Sequence, residues 1–251
     1  MTSNSQNASV RGSSSGPSAD RGIMLAKVAI ICGLVGIAAF PVSGLAAKGG
    51  LLPPLSALYI AAPVTLGGGV LAIATAAIAF WRGRRGLPGG VLGVLSVALM
   101  VYWFSLATHV PWIHDVSTDL KNPPVFTAIL AERTAEHANS LDPSEAVAAL
   151  QKSGYPDIGP LMLKQPPADV FPKALADAKS MGWKIVLADA ASGRIEATDQ
   201  TFWMGFKDDI AVRVAAADGG TRVDVRSVSR VGESDFGVNA KRIRAYFARL
   251  Q

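Results

Sequence analysis

The sequence predicts an α+β protein on a membrane anchor: three N-terminal transmembrane helices, then a soluble domain with a four- to five-stranded antiparallel sheet and packed helices. Three observations predict it. Apolar residues form three runs long enough to cross a bilayer, at Ile23–Ala47, Leu58–Trp81 and Leu87–Val110. The composition changes at Asp115, after which acids and bases are mixed. Beyond Trp183, apolar and polar residues alternate in four successive stretches, the period of half-buried strands.

Charge separates the two halves. Of 24 Lys/Arg and 19 Asp/Glu, seven and one fall in residues 1–114, which leaves 17 and 18 for residues 115–251. The pI near 9.5 therefore does not describe the domain, which is almost neutral and carries no nucleic-acid footprint. The excess positive charge belongs to the apolar half, where it decides topology. The single cysteine, Cys32, lies inside an apolar run, so neither an intrachain disulfide nor a cysteine metal cluster can form.

Residues 1–22 are rich in Ser, Asn and Gly and are expected to be a disordered cytoplasmic tail. Residues 23–112 form the three-helix anchor. Lys27 is near enough to its helix start to snorkel, and Trp81, Trp103 and Trp112 fall near helix ends, as interfacial anchors do. No acid lies within the three runs, which argues against a proton or cation path. Gly89 and Gly93 place small residues four apart, a candidate helix-contact face that would also suit dimerisation. Three crossings put Arg11, Arg21, Lys27, Arg82, Arg84 and Arg85 on one side, against Lys48, Asp115, Asp119 and Lys121 on the other. The positive-inside rule then puts the tail in the cytoplasm and the C-terminal domain across the membrane from it, which in a bacterial inner membrane is the periplasm. Cleavage of the first run as a signal peptide near Ala46–Ala47 is the rival reading, and it leaves the domain on the same side.

Residues 113–251 form the α+β domain. After Asn122-Pro123-Pro124, a helix is expected over Val125–Ala138, and Asp142-Pro143 starts a short helix through Ser153 that Gly154 ends. Pro160–Lys164 is a short strand. Asp169 caps a helix to Met181, with Pro172 in its first turn and Phe171, Leu175, Ala178 and Met181 on one face. Strands follow at Trp183–Asp189, Arg194–Thr201, Asp209–Ala216 and Thr221–Arg230, joined by Gly-containing turns. Ile210, Val212 and Val214 share a buried face with Val223 and Val225. The last helix, from Asn239, packs Ile243, Tyr246, Phe247 and Leu250 onto it.

The other sheet face carries Glu196, Thr198, Arg213, Arg222, Asp224, Arg226 and Arg230. One reading is a ladder of ion pairs on a solvated face. The other is a ligand groove in which Arg226, Arg230 and Arg242 converge near the N-terminus of the last helix. Arg213, Asp235 and Asn239 complete that binding set. Guanidinium forks and free backbone N–H groups there would suit a carboxylate or phosphate. Signals for catalysis are weak. Asp208 and Asp209 are adjacent, but neighbouring strand residues point to opposite faces, so turn and strand-edge solubility is their expected role. His109, His114 and His137 lack metal-ligand spacing, Ser227 and Ser229 lack a nucleophile elbow, and the Gly232–Gly237 bend lacks the Lys-Ser/Thr of a phosphate loop. No metal or cofactor is expected. The reading favoured is a non-catalytic module for an anionic small molecule or lipid headgroup. Its alternatives are a domain docking an envelope protein complex and a hydrolase using Asp208, Asp209 or Asp235.

Six segments together resemble the uncharacterised family called domain of unknown function 1499. They are Ile113–Asp119, Asn122–Phe126, Tyr155–Leu161, Gly193–Thr198, Gly205–Val214 and Arg226–Arg244, the last being the most specific. The resemblance covers about half the chain, from the end of the third apolar run onward. It implies a family of bacterial and plastid proteins, often membrane-anchored, without an established activity. It supplies no substrate and no catalytic residue.

Overall fold

The apolar runs become helices, two of them longer than the run and the third two residues shorter. The computed structural model describes residues 17–83, 86–142 and 144–251. Helices α1 (Pro17–Lys48), α2 (Pro54–Trp81) and α3 (Leu87–Thr108) hold 32, 28 and 22 residues. At ~1.5 Å per residue each exceeds a hydrocarbon core of ~30 Å. All three are long and apolar enough to cross a membrane, consistent with a membrane anchor. Residues 17–22, expected in the tail, are helical instead: the helix carries on through them with Asp20 in its first turn, where a carboxylate suits the helix dipole. The rest of the expected tail, Arg11, Arg84, Arg85 and Pro143 lie outside the described residues. Helix α2 starts before its apolar run, at Pro54, where a missing N–H costs nothing, and α3 stops short of Pro111.

Two compact units result: the described residues of Met1–Pro41 with Ala61–Val101, and Val42–Ile60 with Tyr102–Gln251. In the first, small residues let backbones approach closely. A Cβ on Gly89 would meet Ala29, and one on Gly93 would meet the Gly69 carbonyl. The two glycines singled out for helix contact thus serve contacts within the chain.

The second unit holds the sheet. Strands β3 (Lys184–Asp189), β4 (Arg194–Gln200), β5 (Lys207–Ala217) and β6 (Gly220–Ser229) form the expected antiparallel meander. Two three-residue strands bring the sheet to six: β1 (Asp115–Ser117) and β2 (Leu161–Leu163). Both pair with the outer edge of β6, β1 against Arg226–Val228 and β2 against Thr221–Val223, so they share that edge end to end. Gly193, at φ +65°, leads into β4 where a Cβ would overlap the Val214 carbonyl, so glycine is required twice over.

One sheet face is apolar, as expected. Ile210, Val212, Val214, Val223 and Val225 are buried beneath α6 (Pro167–Ser180) and α7 (Val238–Leu250). Phe171, Ala174 and Ala178 of α6 and Ala240, Ile243, Tyr246 and Leu250 of α7 fill that layer. Tyr246 stacks at 4.9 Å on Trp183 and donates its hydroxyl proton to the Ala174 carbonyl at 2.9 Å. Helix α6 begins two residues before the expected Asp169 cap, with Pro166 as its N-cap residue. Helix α5 (Glu145–Gly154) is capped by Ser144, whose side chain accepts from Val147 N, rather than by Asp142.

The largest departure is at Val125–Ala138. Only Leu130–Ala135 is helical (α4), and the stretch before it runs as an extended strap over the second sheet face. The reason is Glu196. Its carboxylate accepts from the backbone N–H groups of Thr127 (2.9 Å), Ala128 (2.9 Å) and Ile129 (3.2 Å) and from the Thr127 hydroxyl (2.8 Å). Donors that a helix would have used go to a buried anion instead. Phe126 and Ile129 then close a small second core on Ala211 and Val228. The polar face is therefore covered rather than solvated.

Candidate functional site

Alternation along β5 and β6 sends the polar residues of the sequence-predicted set to two different places. Arg242 belongs to the α7 side. Its guanidinium reaches Asp208 (2.6 Å), Asp199 (2.9 Å), the Ser227 hydroxyl (3.0 Å) and Asn239 Oδ1 (2.6 Å). Asn239 donates in turn to the His114 carbonyl and the Ser229 hydroxyl, both at 3.1 Å. Asp235 holds the start of the same helix, accepting from Gly237 N and Asn239 N at 2.8 Å each. Burial pushes the Asp235 carboxyl above its usual range, against those two N–H groups, and nearby Asp208 adds to the rise. Arg242, Asn239 and Asp235 are all buried and satisfied by one another and by the sheet, so their geometry locks α7 in place.

Arg213, Arg226 and Arg230 lie on the strap side. Arg226 makes a forked pair with Asp115 at 2.6–3.2 Å, donates to the Leu141 carbonyl at 2.7 Å, and sits 5.7 Å from the Phe126 ring centre. Arg213 bonds Asp224 (2.8 Å), Asp119 (3.0 Å) and the Asn122 carbonyl (3.1 Å), and Arg222 reaches the same two carboxylates. Burial opposes charge on Asp119, but the Asn122 and Lys121 N–H groups with Arg222 and Arg213 outweigh it and hold its pKa low. Arg226 and Arg230 thus share a face, while Arg242 lies across the sheet from both. The three arginines do not converge on one groove. Asp208 and Asp209 straddle the sheet as alternation required, but as buried anions 3% and 0% exposed rather than strand-edge solubilisers.

Arg230 is itself buried, 2% exposed, between one buried carboxylate and two exposed ones. Its inner edge is forked onto Asp209 (2.9 Å to each carboxylate oxygen) and touches the Thr198 hydroxyl at 3.1 Å. Arg133 also ion-pairs with Asp209. The outer edge meets Glu132 at 3.2 Å and Glu136 at 3.0 Å, carboxylates that are 47% and 40% exposed. Glu136 Oε1 also accepts from Lys207 at 2.6 Å. Burial disfavours charge on Glu136, yet the hydrogen bond from Lys207 and the adjacent Arg230 guanidinium hold it below the ordinary carboxylate range. Outside this edge opens a cleft of about 310 Å³, lined by Arg230, Lys184, Lys207, Glu132, Thr198, Asp199, Gln200 and Gly182.

Sequence reasoning missed Lys184, Glu132 and Glu136 as neighbours of Arg230. The available signal was Glu132 and Glu136 at i,i+4, which puts two carboxylates on one side of a helical turn. Asp115 and Asp119 had a signal too, as the acids of the quoted Ile113–Asp119 segment.

No curated protein and no solved structure matches the chain. Residues 115–250 match the model of the family described as Protein of unknown function (DUF1499), from the first residue of β1 to the last of α7, and the chain belongs to that family.

Proposed function

We propose that the chain is a membrane-anchored, non-catalytic binding protein whose C-terminal domain takes an anionic small molecule or lipid headgroup in the cleft at Arg230. The observation that carries the reading is the state of that guanidinium. It is 2% exposed and fixed on Asp209 from within; on its outer side Nη2 reaches Glu132 at 3.2 Å, while Nη1 lies 3.0 Å from Glu136 without completing a hydrogen bond. An entering phosphate or carboxylate would exchange with Glu136 between Arg230 and Lys207, with Lys184 at the rim. A guanidinium already held in place binds a planar anion without ordering cost. Of the binding set read from the sequence, Arg230 makes the ligand contact in this proposal. Arg213, Arg226, Asp235, Asn239 and Arg242 hold the frame around it. The proposed location is the bacterial inner membrane with the domain in the periplasm, supported by Arg21, Lys27 and Arg82 on the tail side of the helices.

The test uses the full chain purified in detergent, titrated with inorganic phosphate by calorimetry and weighed by native mass spectrometry. Lys207 is 38% exposed, so Lys207→Gln removes a positive charge from the cleft without setting a second carboxylate against Glu136. The expected result is affinity for phosphate weakened at least about tenfold, or ~1.4 kcal/mol, together with loss of any retained anionic mass. Equal affinity in both proteins would overturn the reading.

A further inference from the structure

The turn between β4 and β5 presents two aromatic side chains, Phe202 and Trp203, that belong to neither apolar core. Thr201 N donates to the Phe206 carbonyl (2.8 Å), Phe206 N to the Thr201 hydroxyl (2.9 Å), and Gln200 Nε2 to the Gly205 carbonyl (3.1 Å). Hydrogen-bonded in this way, the turn holds Phe202 79% exposed and Trp203 40% exposed. Exposed aromatics gathered on one surface mark an interaction or membrane-contact site.

Three observations say what meets this surface. The Trp203 indole lies on Gly44, where any Cβ would overlap it. Gly44 is four residues before Lys48, the last residue of the α1 span, so the indole sits ~6 Å below the helix end. The Lys48 ammonium lies 4.2 Å over the Phe202 ring. A second aromatic pair stands just past the other membrane helix on this side. Trp112, four residues after α3 ends at Thr108, is 55% exposed and meets Phe236 edge-on at 6.2 Å. Phe236 is 49% exposed and held at φ +51°, a conformation that strains a residue with a bulky side chain.

We propose that Phe202 and Trp203, with Trp112 and Phe236, insert into the headgroup zone of the bilayer, so that the partner of this face is the lipid surface itself. Aromatic rings at that depth bury their apolar bodies and keep polar edges wet, and a lysine beside them meets lipid phosphates. Gln200 and Lys207 flank the turn and line the Arg230 cleft, so seating the turn brings the cleft to headgroup level. The inference rests on the membrane-anchor reading and not on anion binding in the cleft.

The experiment places a bimane label at Phe202→Cys in a Cys32→Ala background of the full chain. The protein is reconstituted in vesicles of phosphatidylcholine and phosphatidylglycerol, with and without lipid spin-labelled near the headgroup. Ala191→Cys, in the exposed β3–β4 turn at the opposite end of these strands, is the reference site. The expected result is at least about twofold quenching by spin-labelled lipid at position 202 and none at 191, with iodide quenching in the reverse order. Equal iodide quenching at both sites, with no response to lipid, overturns the proposal. Shielding of position 202 from iodide without lipid quenching also overturns it, because protein would then cover the turn. Failure of the chain to float with the vesicles would instead remove the anchor reading beneath it. Phe202 makes little packing contact, so its replacement leaves the domain folded.

Discussion

Glu196 is a buried carboxylate with five donors. Besides the strap N–H groups and the Thr127 hydroxyl, Arg194 reaches it at 2.8 Å, and the residue is 1% exposed. Glu196→Gln would turn an amide NH₂ toward one set of those donors and leave Arg194 without its counter-charge. The expected cost is about 3–5 kcal/mol, measured as a lowered thermal midpoint of the full chain in detergent; an unchanged midpoint would show that the strap is held by other contacts. Residues of this kind were half legible. Alternation assigned Glu196, Thr198, Arg213, Arg226 and Arg230 to one face, and Asp208 and Asp209 to opposite faces. Their burial was not legible, because the partners that make it tolerable, Arg133 for Asp209 and Arg242 for Asp208, stand 76 and 34 residues away.

Among the elements, helices and strands with a strong period were read closely, and the strap was not. Residues 125–138 are good helix formers, but local propensity lost to a carboxylate on β4 that no local pattern announces. The same strap makes the domain sensitive to acid. Asp119 and Glu136 both have folded-state pKa values held below the ordinary range. A depressed carboxylate pKa gives stability that is present above the unfolded value, about 4, and is lost as pH falls through the folded one. Hydrogen exchange should therefore show residues 118–139 losing protection below about pH 4, before the β5–β6 core does. Loss of both together would mean that the strap and sheet open as one unit.

At the scale of the whole molecule, three apolar runs marked the three helices that are long and apolar enough to cross a membrane, and the family match covers the domain beyond them. The sidedness of the domain is tested by reporter fusions after Val110 and after Arg82. Alkaline phosphatase activity is expected at the first site only, and the reverse pattern would place the domain in the cytoplasm. The sheet also joins distant ends of the domain. Asp115, seven residues past α3, pairs with Val228, and β6 carries β1, β2 and β5 at once. A growing chain that has just passed α3 therefore has no mate for its first strand until β6 emerges more than a hundred residues later. Until then the strap and β1 stay open to chaperones and proteases. Any product broken off before β6 is left with unpaired edges and an uncovered apolar face, which marks it for degradation. The domain thus carries its own check that synthesis reached β6: only a chain that long can close.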